Sequence, residues 1–406
     1  MGLNDTVTAD RVHIAFFGKR NAGKSSLMNA VTSQQISMVS DVAGTTTDPV
    51  YKAMELLPLG PVMLIDTAGM DDTGELGGLR VKKTRQVLNK TDIAVLVIDA
   101  TAGMTEQDRQ WIKLFRQKNL PFLTVYNKTD LSGPIPVSQG ELAVSSVTGE
   151  GIQPLKQAIA ALASQEKPTP SLIDGLTAPG DLAILVTPID AAAPKGRLIL
   201  PQQQTIRALL DQNAMALVVQ QTQLKDALSR LNQPPKIVIT DSQVFEEVSK
   251  ITPRDIPLTS FSILVARQKG NLALAIQGVT MLDQIQNGDR ILIAEGCTHH
   301  RQCDDIGTVK LPRWIREYTG KTPEFVFTSG TEFPEDLSSY RMAVHCGGCM
   351  LNPREMKYRQ KTAKDAHLAI TNYGIAIAYM KGILQRSLAP FPQLAAYLNG
   401  AKEEQP

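Results

Sequence analysis

The stretch Gly18-Lys19-Arg20-Asn21-Ala22-Gly23-Lys24-Ser25 constrains this chain more than any other. It has the pattern G-x-x-x-x-G-K-[ST], follows an apolar run at residues 12–17 and opens a segment with helical character. A strand, a glycine-rich turn and a helix in that order bring backbone N–H groups and a helix N-terminus to phosphate oxygens. The expected cradle is Gly18, Asn21, Ala22, Gly23, Lys24, Ser25 and Ser26. Lys24 is expected to reach the β- and γ-phosphates, and the Ser25 hydroxyl to bind Mg²⁺. Further apolar runs at 62–65, 93–98 and 122–126 are continuous rather than alternating. That suits a parallel sheet buried on both faces, and hence an α/β class.

Two more motifs follow strand ends in order. Asp66-Thr67-Ala68-Gly69 comes after the second of these runs. The Asp66 carboxylate can hold a water of Mg²⁺, and the Gly69 N–H can sense the γ-phosphate. Asn127-Lys128-Thr129-Asp130 comes after the fourth. The Asp130 carboxylate can accept both guanine N–H donors, with Asn127 supporting the ring and Lys128 packing over it. Adenine presents the wrong donors and acceptors, so the motif selects GTP over ATP.

Composition divides the chain into three α/β domains: 1–167, 174–266 and 267–406. Lys167-Pro168-Thr169-Pro170 reads as the first linker. Strands are expected in the middle domain at 182–186, 216–219, 236–240 and 261–265, with Leu224, Leu228 and Leu231 on one helical face. In the last domain they are expected at 290–294, 325–328 and 342–344. No internal repeat is visible. Forty-two basic and forty acidic side chains give a net charge of +2, and aromatic residues make up 5%. Both speak against nucleic acid as the main partner. No apolar run approaches the length of a spanning helix, and the N-terminus lacks a signal-peptide core, so a cytoplasmic protein is expected. The basic run Arg80, Lys82, Lys83, Arg85 and Lys90 reads as a solvated helix face.

All four cysteines fall in the last domain. Cys297-Thr298-His299 and His345-Cys346-Gly347-Gly348-Cys349 each lie just past an expected strand, where open parallel sheets form binding crevices. Three soft thiolates point to Zn²⁺ or an iron–sulfur cluster. A structural zinc would take a fourth ligand from His299 or His345; a cubane could leave its fourth iron to a weaker group such as Asp304 or Asp305. Spacing does not separate these. Asp305 also suits a helix N-cap ahead of Ile306. Cys303 lies outside the motif and reads as a small buried residue; His300 and His367 read as ordinary polar residues.

Residues 18–151 resemble a GTPase domain of the class that includes the tRNA-modification and ribosome-assembly GTPases. The resemblance makes Thr46, within Gly44-Thr45-Thr46-Thr47-Asp48, the switch threonine that completes the Mg²⁺ shell. With Lys24, Asp66 and Gly69 it forms the expected catalytic set. Ser145-Ser146 stand at the fifth base-contacting loop, departing from the usual S-A-K. Asn21 matches the asparagine that binds K⁺ in the tRNA-modification relatives. Met70 stands where Ras-like proteins place a water-orienting glutamine, and a thioether cannot orient water by hydrogen bonding. Intrinsic hydrolysis is therefore expected to be slow, or to use K⁺.

The whole pattern, C-x-H, 45 residues, then H-C-x-x-C behind a GTPase domain, is similar to the FeFe-hydrogenase maturation GTPases of the HydF type. The resemblance implies a 4Fe-4S cluster on Cys297, Cys346 and Cys349, with a non-cysteine or open fourth position. It implies a middle domain that makes a homodimer or higher homo-oligomer. It also implies a scaffold that receives a di-iron subcluster precursor, working with two radical-SAM maturases, and passes it to apo FeFe-hydrogenase. Two other readings stand beside it: an RNA-modification or ribosome-assembly GTPase, and a GTP-regulated zinc protein with a structural Cys/His site.

Overall fold

The computed structural model describes residues 8–32, 49–67, 83–164, 170–189, 198–270, 272–296, 305–330 and 332–399. The chain forms two compact units, Met1–Pro168 and Thr169–Pro406.

The first unit is built on six strands: β1 (Val12–Phe17), β2 (Val50–Leu56), β3 (Gly60–Asp66), β4 (Ile93–Asp99), β5 (Phe122–Asn127) and β6 (Glu141–Ala143). Their order is β2-β3-β1-β4-β5-β6. Only β2 is antiparallel, along β3. Successive residues of a strand point to opposite faces, so β1 feeds two cores. Ile14 and Phe16 join Leu27, Val31, Val95 and Ile159 on one side. Ala15 and Phe17 join Leu96, Trp111 and Phe115 on the other. The second core includes an aromatic cluster, with the Phe17 ring 5.0 Å from Trp111 and 5.3 Å from Phe115. The edge strand β2 alternates half-buried and exposed residues, and the continuous-run criterion misses it for that reason.

The second unit holds two four-stranded parallel sheets. One comprises β7 (Leu182–Val186), β8 (Met215–Val219), β9 (Ile237–Thr240) and β10 (Leu258–Ser260), ordered β10-β9-β7-β8. The other comprises β11 (Arg290–Ala294), β12 (Glu324–Thr328), β13 (Met342–His345) and β14 (Ala369–Asn372), ordered β12-β11-β13-β14. Numbered within each sheet, both read 2-1-3-4. The chain leaves the first strand to one side and returns on the other, which opens a crevice between strands one and three.

A single core joins the two sheets. It contains Ile184, Ile239 and Phe245 from the first region and Ile293, Val344 and Ile377 from the second. The expected strand at 261–265 is a helix, Phe261–Lys269. The Ser260 hydroxyl accepts from the Ile263 N–H and caps it. An apolar run of that length fits either element by periodicity; the N-cap and the spacing of Phe261, Leu264 and Val265 decide for the helix. The strand is the three residues before it. The helix also runs through the expected boundary at 266/267. Leu231 lies beyond the short helix Leu224–Ser229. Among the described residues, no helix is long and apolar enough to cross a membrane.

Candidate functional sites: a nucleotide cradle and a cysteine loop

The loop of residues 18–23 leaves β1 and enters helix Lys24–Thr32. Two of its glycines are required by close approach. Gly18 has φ +141°, and a Cβ there would lie 2.2 Å from the Val97 carbonyl oxygen. Gly23 has φ +88°, and a Cβ would lie 2.2 Å from Asn127 Nδ2. Lys24 is buried, and its Nζ donates to the carbonyls of Gly18 at 3.0 Å and Lys19 at 2.6 Å, so the ammonium lies across the mouth of the loop.

β1 and β3 run side by side with Phe16 opposite Asp66. That register brings the Asp66 carboxylate to the start of the helix, where Oδ2 accepts from Ser25 Oγ. Asp66 Oδ1 is buried and has no hydrogen-bond partner. Burial pushes its carboxyl above the ordinary range, with Ser25 and Lys24 offsetting part of that. A desolvated carboxylate oxygen beside a hydroxyl is what a hard cation satisfies, so the donor set fits Mg²⁺.

Asn127 is fully buried and ties two loops together. Its Nδ2 donates to the carbonyls of Ala22 at 3.2 Å and Gly23 at 3.4 Å, while Oδ1 accepts from the Ser146 N–H at 3.0 Å. Lys128 adopts a left-handed φ of 69° and pairs with Asp99 at 2.6 Å. Ser145 Oγ donates to Asp130 Oδ1 at 2.6 Å and accepts from the Thr148 N–H at 3.1 Å, which fixes the carboxylate that the sequence motif expects to meet guanine. Gly18, Asn21, Ala22, Gly23, Lys24, Ser25, Ser26, Asp66, Asn127, Lys128, Asp130, Ser145 and Ser146 are thus carried by adjoining strand ends and the helix they lead into. Asn21 is exposed, with φ 60°. Thr46, Gly69, Met70, Arg80 and Lys82 lie outside the described residues. Asp99, the partner of Lys128, belongs to none of the sequence motifs.

The second site lies past β11 and β13, neighbours in the sheet with Ala294 opposite His345. This is the crevice of the 2-1-3-4 order. The Cys346 N–H donates to the Ala294 carbonyl at 2.8 Å. Its Sγ accepts from the Gly296 N–H at 3.0 Å and the Gly348 N–H at 3.4 Å. Gly296 is the residue before Cys297. Burial raises the Cys346 thiol to about 11, with those two N–H groups working against it. N–H donors turned toward sulfur suit a bound thiolate, so the donor set fits a thiolate-ligated metal centre.

His345 is buried. A guanidinium only donates, so the 3.0 Å contact of Arg359 Nη1 makes His345 Nε2 the acceptor. The tautomer assigned on that basis donates from Nδ1 to the Cys346 carbonyl at 2.7 Å. Burial first, and Arg359 second, hold this imidazole near 3, so it is neutral. Arg359 is completely buried; its Nη2 donates to Glu355 Oε1 and to the Gly330 carbonyl, both at 2.6 Å. On the other side Lys269 Nζ donates to the carbonyls of Cys349 at 3.0 Å and Leu351 at 3.4 Å. Asp305 caps the helical turn ahead of it, accepting from the Thr308 N–H at 2.8 Å and hydroxyl at 2.9 Å. Lys269, Glu355 and Arg359 carry no motif signal and escape sequence reasoning. Among the described residues no three His, Cys, Asp or Glu side chains gather as a metal site. Cys297, His299, His300, Cys303 and Asp304 lie outside them.

Comparison with known proteins covers both units. Residues 13–128 match the 50S ribosome-binding GTPase domain. The tRNA modification GTPase MnmE of Nitrosomonas europaea is 34% identical over 154 residues, which are 36% of this chain and 34% of that protein. GTPase Der of Kosmotoga olearia is 38% identical over 127 residues, 30% of this chain and 28% of that one. The chain therefore spans about a third of the length of these curated relatives. The crystal structure of Aquifex aeolicus Era bound to GDP·AlF₄⁻ aligns at 16% identity and TM-score 0.34, over 78% of this chain and 93% of that one. The N-terminal unit is a GTPase domain for GTP with Mg²⁺. Residues 172–270 match the hydrogen maturase F dimerization domain and residues 273–390 its tetramerization domain, together more than half of the chain. With a GTPase domain ahead of both, the chain belongs to the hydrogen maturase F family.

Proposed function

We propose that this chain is a GTP-controlled scaffold of the cytoplasm. It holds a 4Fe-4S cluster on Cys297, Cys346 and Cys349, accepts a di-iron precursor as cargo and passes it to apo FeFe-hydrogenase. Two radical-SAM maturases are its other partners. The observation that carries this reading is the 3.0 Å contact between the Gly296 N–H and Cys346 Sγ. It brings the segment that leads into Cys297 onto the first thiol of the C-x-x-C loop, although the two lie 50 residues apart. The cluster, when bound, supplies an iron position for cargo that no cysteine fills. The chain's own residues carry Cys346 and Cys349 past the end of β13, beside the segment that leads into Cys297. His345 has both ring nitrogens engaged, to Arg359 and to the Cys346 carbonyl, so it serves the loop rather than the metal.

The GTPase unit supplies a switch rather than energy for the chemistry. Asp66 and Ser25 hold Mg²⁺, and Thr46 and Gly69 respond to the γ-phosphate. A ligand shifts a docking equilibrium only through unequal affinity for two states, so GTP acts through partner contacts. With Met70 in place of a water-orienting amide, turnover is slow and draws on K⁺ held by Asn21. Equal turnover in Na⁺ and K⁺ buffers would remove the K⁺ role. The direct test of the scaffold is anaerobic reconstitution with iron and sulfide, followed by mixing with apo-hydrogenase. Cys297→Ala, Cys346→Ala and Cys349→Ala chains are expected to activate no hydrogenase. A colourless, zinc-replete wild-type chain would replace this reading with a structural zinc site.

A further inference from the structure

The C-x-x-C loop is held from beneath by two buried cations. Lys269 is 2% exposed and Arg359 is 0% exposed. Burying either charge is unfavourable unless it is compensated, so their placement calls for a reason. Lys269 ends helix Phe261–Lys269, where a cation is favoured by the helix dipole. From there its Nζ reaches the carbonyl oxygens of Cys349 and Leu351. Arg359 lies on helix Pro353–Asp365, packs over the Phe333 ring at 5.3 Å and reaches Gly330, Glu355 and His345. His345 then passes one hydrogen bond on to the Cys346 carbonyl. The backbone carbonyls of both loop cysteines therefore receive a donor from a buried cation or from the imidazole it orients. Lys269, His345 and Cys346 line one pocket.

We infer that Lys269 and Arg359 are positioning residues for the cysteine site. They fix the C-x-x-C loop by the carbonyl oxygens of its two cysteines, Lys269 directly and Arg359 through His345, and leave the thiols to point at their ligand. Lys269 adds a second effect, because its ammonium sits beside a site that gathers thiolates. Net charge and hydrogen bonding at the sulfurs set the potential of such centres. Lys269 lies in the stretch matched by the dimerization domain, and the loop it holds lies in the stretch matched by the tetramerization domain. The two regions are thereby joined at the cysteine site.

The inference about potential rests on the cluster reading; the inference about the loop does not. The test uses the full-length chain as wild type, Lys269→Met and Arg359→Lys. Methionine suits the apolar part of the pocket, where Val265, Ala275 and Ile370 lie. Lysine at 359 keeps the charge but cannot span three partners. In the metal-free protein, iodoacetamide labelling of Cys346, read by peptide mass spectrometry, is expected to be about tenfold faster or more in both variants. After reconstitution, iron loss to a chelator is expected to be faster in both. The reduction potential is expected to fall in Lys269→Met and to change less in Arg359→Lys. Circular dichroism confirms that each variant is folded. Labelling at the wild-type rate in both variants overturns the loop role. An unchanged potential in Lys269→Met overturns the charge effect. A wild-type chain that takes up no cluster overturns the cluster reading instead, and the labelling arm still decides the loop role.

Discussion

The nucleotide cradle and the cysteine loop solve one problem in two ways. Each presents ligand groups past the carboxyl ends of parallel strands. In the cradle the groups that meet phosphate belong to the loop itself, and the main outside support is one amide, Asn127, on the next but one strand. At the proposed cysteine site the ligand atoms would come from two segments of the chain, and the support for the C-x-x-C loop comes from cations on two helices. A phosphate can be met by backbone N–H groups, which any sequence supplies once glycine allows the turn. A thiolate-ligated centre needs side chains from separate places, and each must be held by something else. The cradle is therefore robust in its ligands and sensitive in its glycines; the cysteine loop is sensitive in both ligands and props.

If the two sites are independent in this way, the largest effect should come from the thiols. Cys346→Ala or Cys349→Ala should abolish bound iron while nucleotide affinity stays within about twofold, since the two sites belong to separate compact units and share no partner residue. Iron analysis beside nucleotide titration of the same sample checks this; a linked loss of GTP binding would break the comparison. Next, Asp130→Asn should weaken GTP binding by about 100-fold, because a carboxylate that accepts two N–H donors is replaced by an amide that cannot. Titration calorimetry with GTP reads that loss, and iron content should not follow it.

A smaller effect is expected from Asn127→Ala. It leaves the Ala22 and Gly23 carbonyls and the Ser146 N–H without their side-chain partner. The cost should be about 1–3 kcal/mol in urea unfolding of the GTPase unit. Smallest is Asp99→Asn. Partial burial pulls the Asp99 carboxyl up, but Lys128 and Thr101 outweigh it and hold it below the ordinary range. A carboxyl lowered in the folded state contributes stability above its unfolded value, and that contribution is lost as pH falls through the folded one. The half-buried, water-accessible pair is worth about 0.2–1 kcal/mol near neutral pH. The difference between wild type and Asp99→Asn should close in acid, below the ordinary carboxylate range.

The cradle was legible because its ligands are contiguous. A strand, a glycine-rich turn and a helix carry one signal, and strands β1, β7 and β11 stand where the apolar runs put them. The cysteine site was half legible. Its thiols stand out by type and spacing, whereas Lys269 reaches Cys349 from 80 residues away and carries no motif signal. Arg359 and Glu355 form an i,i+4 pair of charged residues, a type usually found at the surface, yet both are buried. The shared 2-1-3-4 order of the two sheets also left no repeat in the sequence, because topology constrains which residues are apolar and not which apolar residue is used. The helix at Phe261 was misread for the related reason that a short apolar run carries no period of its own.

The proposed function requires thiols that follow two neighbouring strands to meet at one iron centre. Mössbauer and electron paramagnetic resonance spectra of the anaerobically reconstituted chain, wild type against Cys297→Ala, test it most directly. The wild type is expected to show a reducible four-iron cluster and the variant to lack it. A wild-type spectrum without that cluster, or a variant that keeps it in full, would rule out a centre shared by the two segments.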